Sequence, residues 1–162
     1  MKLYAEGPDL LESSLDGLSE ADLDACSEDG WSIRQIVHHV AEADAIWMTN
    51  VKIALIKPGT SIGLGWHPGN KGIADALLYA HRPIDTALAL FRATRDHMAQ
   101  MLSGMDDAEH CHIMLVDLPE WSEEREQKIT VGEYIRGLAR HIDEHVAEIN
   151  QIREALRTKV EL

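Results

Sequence analysis

The sequence predicts an all-α fold, a four-helix bundle, and three observations carry that prediction. Apolar residues recur at helical spacing over long stretches. Two of those stretches open on a capping box. Turn residues divide the chain into four main helical segments that can share one core. Two connections depart from the pattern: a long crossover loop over 57–72, and a short irregular or hairpin insertion before the last helix.

In chain order, Gly7-Pro8 opens a short first helix with apolar Leu11, Leu15 and Leu18, because proline at a first turn loses no hydrogen bond. Residues 19–29 are acidic and loosely helical, ending in the turn signal Asp29-Gly30. Ser32 and Gln35 form the first capping box, with Trp31 placed to staple onto Ile36. Ile33, Ile36, Val40, Ala43, Trp47, Val51 and Ala54 then keep helical spacing to about Ile56. Residues 57–72 are rich in glycine and proline, and residues 73–80 have room for one or two helical turns. Pro83 starts a helix with Ile84, Leu88, Phe91, Met98 and Leu102 that ends near Gly104. Residues 112–116 are β-leaning, followed by Leu118-Pro119-Glu120 and a charged run from Glu123 to Lys128. Thr130 and Glu133 form the second capping box, and Tyr134, Ile135, Leu138, Ile142, Ile149, Ile152 and Leu156 supply the last apolar stripe.

Composition narrows the function classes. With 162 residues, 45% of them hydrophobic, the chain suits one soluble domain over 1–162 with a proper core. A net charge of −13 repels phosphate backbones and anionic lipid, so neither nucleic acid nor membrane is an expected partner. No apolar run approaches the ~18 residues of a membrane span, and Met1 to Asp9 lacks a signal layout. Cys26 and Cys111 are too few for a disulfide framework or thiolate site. The expected location is cytoplasmic, with both thiols reduced.

The chemistry is concentrated in histidines. His141 and His145, four apart, lie about 40° from each other around a helix axis, inside the apolar stripe. In the earlier helix His38 and His39 point about 100° apart. His39 falls at the edge of the apolar face, whereas His38 falls with Arg34, Glu42 and Lys52 on the polar side, so His39 is the inward candidate. Neutral rings buried without partners cost roughly 1–3 kcal/mol each. Hydrogen bonds to neighbours or one shared transition metal are both ways to meet that cost, and spacing leaves both open. Three imidazoles plus an open position is a catalytic zinc arrangement, and nickel suits the same ligands.

Rival patterns fall away. None of these histidines has the glutamate three residues before it that a di-iron bundle needs. His141-Ile142-Asp143-Glu144-His145 matches H-x-x-E-H literally, but little chain follows to supply a further glutamate ligand. Glu42 and Glu148, each three residues after an inward histidine, are the candidates for a hydrogen-bond acceptor to a ring N–H or for a general base. His67, His81, His97, His110 and His112 read as surface histidines, with Trp66-His67 able to line a pocket from the long loop. Cys111 points opposite His110 and His112 in a strand and is discounted.

Through Trp31-Ser32-Ile33-Arg34-Gln35-Ile36-Val37-His38-His39 and His141-x-x-x-His145, the chain resembles the DinB/YfiT-like family of metal-dependent enzymes over roughly Leu10 to Leu156. That family has a tryptophan-serine helix start with a ligand histidine eight residues after the tryptophan. The resemblance implies metal ligation by His39, His141 and His145, and an up-down-down-up bundle whose crossover is the 57–72 loop. It also implies a small-molecule substrate and chemistry of one of two kinds. One is transfer by a low-molecular-weight thiol such as bacillithiol, mycothiol or glutathione; the other is hydrolysis. Relatives often dimerise, so a second copy is a partner the resemblance implies. A third reading, from another class, is a non-catalytic metal- or small-molecule-binding bundle.

Overall fold

The computed structural model describes residues 2–26, 30–118 and 124–160. It is mostly helical. The helices are α1 (Lys2–Leu15), α2 (Ile33–Ile56), α3 (Gly69–Ala76), α4 (Asp85–Ser103) and α5 (Val131–Val160). Three short strands accompany them: β1 (Thr60–Gly63), β2 (His112–Val116) and β3 (Glu126–Thr130). Of the four long helices, α2 packs on α4 and α5, and α1 packs on the same two.

Local signals set the ends of α2. The Ser32 side chain accepts from the Gln35 amide while the Gln35 side chain accepts from the Ser32 amide, so the capping box is reciprocal. The helix runs to Ile56, as the spacing predicts. Thr130 and Glu133 make the matching exchange at the start of α5. Gly30 has φ +85°, in keeping with a turn, while Asp29 lies outside the described residues.

The first helix departs from expectation. It begins at Lys2 rather than at Gly7-Pro8, so Pro8 sits inside it. Proline has no N–H to give to the carbonyl four residues back. That carbonyl belongs to Tyr4, and the Arg95 Nη1 donates to it at 2.9 Å. Arg95, fully buried on α4, also donates through Nε to Asp44 Oδ2 at 2.8 Å and through Nη2 to the Leu138 carbonyl at 2.8 Å. Tyr4 donates its hydroxyl to the same Asp44 oxygen at 3.1 Å. The guanidinium is held between the rings of Tyr4 and Phe91, 4.4 Å from each centroid. One arginine thus ties all four long helices together. Tyr4 and Phe91 belong to separate apolar clusters, so Arg95 also bridges the two parts of the core.

The 57–72 stretch is also more ordered than a loop. Residues 60–63 form β1, which pairs in parallel with β2, and α3 begins at Gly69. The 112–116 stretch is a strand paired antiparallel with β3, so the insertion is a hairpin extended to a three-stranded sheet. Alternation turns Ile113 and Leu115 inward, and both are buried. Pro119, Glu120 and Glu123 of that insertion lie outside the described residues. None of the described helices is long and apolar enough to cross a membrane.

Candidate metal centre

His39 from α2 and His141 and His145 from α5 converge between two packed helices. The Nε2 atoms of His39 and His141 are 3.0 Å apart, and those of His141 and His145 are 3.1 Å apart. All three ligand atoms lie within 4.8 Å of one another. Nitrogens bound to one ion at ~2.0–2.1 Å, at tetrahedral or octahedral angles, stand roughly 2.9–3.4 Å apart. The two spacings to His141, 3.0 and 3.1 Å, fall in that range. Protons alone satisfy such a cluster poorly, because each N–H can serve only one of the facing lone pairs.

Two of the rings have a neighbour outside the cluster. The His145 Nδ1–H donates to Glu148 Oε2 at 3.1 Å, which keeps the proton off Nε2 and turns that lone pair toward the other rings. Trp31, immediately before the α2 cap, places its ring 5.3 Å from that of His39. The residue preceding the helix cap therefore packs beside the first ring. Burial lowers the pKa of His39 to about 4 and that of His141 to about 3, with the neighbouring rings pushing the same way. Both are neutral at physiological pH, the form a metal takes.

A cavity of about 310 Å³ opens beside His39 and His141. Ala43, Ile46, Trp47 and Leu138 give it apolar walls. The crossover region closes another side through His67, Asn70 and Ile73, and the start of α5 contributes Glu133 and Tyr134. His67, by default a surface histidine, is thus a wall residue. Tyr79, which lines the cavity and is 1% exposed, was not legible as a site residue. Its hydroxyl has no hydrogen-bond partner among the described residues, and burial pushes its pKa up to about 12.

The two candidate glutamates separate. Glu148 holds His145, whereas Glu42 lies on the cavity wall with its Oε1 3.6 Å from the Arg82 Nη1. The expected solvent side of His38 is corrected. His38 is 1% exposed, stacked on Tyr79 at 5.5 Å, and its Nε2–H donates to the Arg82 carbonyl at 3.2 Å. Helical arithmetic within α2 sees only one helix, and the 79–82 segment covers the face it calls polar. His38 nevertheless stays outside the three-ring cluster. Glu144, the residue behind the H-x-x-E-H match, is exposed, with its Oε1 3.9 Å from the Arg140 Nε. Cys26 and Cys111 are free.

The class this fold and site define is a helical bundle with an interior group of three histidines able to hold a metal ion. The chain belongs to the DinB superfamily, whose family model matches residues 3–149. A solved structure of YfiT from Bacillus subtilis, described as a probable metal-dependent hydrolase with an unusual four-helix bundle topology, superposes with a TM-score of 0.81. That likeness covers 96% of this chain and 84% of YfiT at 20% identity, so it speaks to the fold. No curated protein matches the chain.

Proposed function

We propose that this protein is a metal-dependent enzyme in which His39, His141 and His145 hold a divalent transition metal, zinc or nickel, facing the cavity. The observation that carries the reading is the mutual approach of three Nε2 atoms at 3.0 and 3.1 Å beside that cavity. A metal there supplies Lewis acidity and a nucleophile active near neutral pH, drawn from water or from a low-molecular-weight thiol. The description of YfiT as a probable metal-dependent hydrolase supports the water-using form of the reaction. The substrate is a small electrophile.

The chain's own residues divide the remaining work. Glu148 holds the His145 Nδ1 proton and is a positioning residue. Glu42 is the carboxylate on the cavity wall available to accept a proton, because Glu133 is engaged with Thr130 at the α5 cap. Ile46, Trp47 and Leu138 keep water from the reacting face. The fold reading extends to an up-down-down-up helix path with its crossover through 57–72.

Elemental analysis of untagged protein beside His39→Ala and His145→Ala tests this. About one divalent ion per chain is expected in the parent and little in either variant. An unmetallated parent after reconstitution with zinc or nickel sinks the reading and leaves a non-catalytic bundle. With metal in place, turnover of activated esters without thiol marks a hydrolase, and thiol consumption with a model electrophile marks a transferase.

A further inference from the structure

The charge of the cavity wall bears on what enters it. Its described lining includes Glu42 and Glu133 and no lysine or arginine. Arg82 partly offsets Glu42, at 3.6 Å between Nη1 and Oε1. Glu133 is bound by Thr130, through hydrogen bonds that stabilise its charged form and lower its pKa. Much of the remaining wall is apolar, with Ile46, Trp47 and Ile73 among its residues. A volume near 310 Å³ admits only a small ligand.

A bound divalent ion adds its own positive charge, but only at the histidine end. An anionic nucleophile can sit there. A carboxylate carried elsewhere on the same molecule meets Glu42 and Glu133, and Arg82, the cation beside the wall, is already paired with Glu42.

We propose that the cavity selects small molecules with an apolar body and no negative charge remote from the histidines, cationic or neutral, and discriminates against polyanionic thiols. This rests on the reading above for where the reaction occurs, while the charge selection belongs to the wall and operates without metal.

Titration of the metal-free protein with benzylammonium, benzyl alcohol and benzoate tests it, read by the NMR shift of the Trp47 indole N–H, assigned through Trp47→Phe. Benzylammonium and benzyl alcohol are expected to bind at least about fivefold more tightly than benzoate. The gap should shrink to within about twofold in the Glu42→Gln/Glu133→Gln double variant. Glutamine keeps the capping-box role at position 133, so that variant retains its helix start. Benzoate binding as tightly as the others overturns the proposal. So does a gap unchanged in the double variant, or the failure of all three ligands to move the Trp47 signal. In cobalt-loaded protein, cysteamine should bind more tightly than 3-mercaptopropionate by sulfur-to-cobalt absorption, and the reverse order also overturns it. Absence of metal in elemental analysis defeats the catalytic reading alone, because the metal-free titration still reports the charge order.

Discussion

Two buried polar centres sit inside the same bundle and differ in one respect. At Arg95, each guanidinium nitrogen and both Asp44 oxygens have a partner, drawn from the Asp44 carboxylate, the Tyr4 and Leu138 carbonyls and the Tyr4 hydroxyl. At the three histidines, ring nitrogens face one another beside an open cavity. A saturated centre holds helices in place, while an unsaturated one keeps binding capacity for something else. Burial alone does not tell the two apart; the count of remaining lone pairs does.

Breaking the saturated centre should have the largest effect. Arg95→Ala leaves Asp44 buried and unpaired, and should cost about 3–5 kcal/mol in urea unfolding. His141→Ala removes a ring from an unsaturated cluster and should cost the metal-free protein much less. A His141→Ala loss equal to that of Arg95→Ala would erase the distinction.

The fit around Arg95 has a second, milder test. A Cβ at Gly7 meets the Arg95 guanidinium at Nη1, so Gly7→Ala should destabilise by roughly 1–3 kcal/mol despite alanine's better helix propensity. An unchanged or raised melting temperature would show that Arg95 can yield.

At the histidines, Glu148→Ala should weaken metal binding by about 10–100-fold without abolishing it, measured by competition with a chelator. Complete loss, equal to that of His145→Ala, would make Glu148 a ligand rather than the group that orients one.

The smallest effect is the response of the metal-free protein to mild acid. His39 and His141 titrate near the ordinary histidine value of 6.5 when unfolded, and at about 4 and about 3 when folded. Below 6.5 the unfolded chain binds more protons, so stability is full above that pH and declines as pH falls toward the folded values. A loss on the order of 1 kcal/mol between pH 7 and 6 is expected. It should shrink when His39 and His141 are both replaced by glutamine.

Much of this was legible before any tertiary contact was known. The boxes at Ser32–Gln35 and Thr130–Glu133 are contained within single turns, so sequence spacing is enough to find them. The rings of His141 and His145 meet because they share one helix. The same logic failed wherever a second element mattered. His38 looked solvated because its cover, Tyr79 and Arg82, comes from far along the chain. Strand β1 was too short to announce itself without β2 beside it. Pro8 looked like a helix start because nothing local shows Arg95 taking up the Tyr4 carbonyl.

By itself, then, the sequence determined the long helices, the capped starts of α2 and α5, the inward aim of three histidines and an acidic character, all set by periodicity and composition. Only the tertiary structure decided which glutamate orients a ring, which residues wall the cavity, and that Arg95 rather than any histidine joins the four long helices. Those depend on side chains distant in sequence meeting at hydrogen-bond range, and no one-dimensional spacing encodes that.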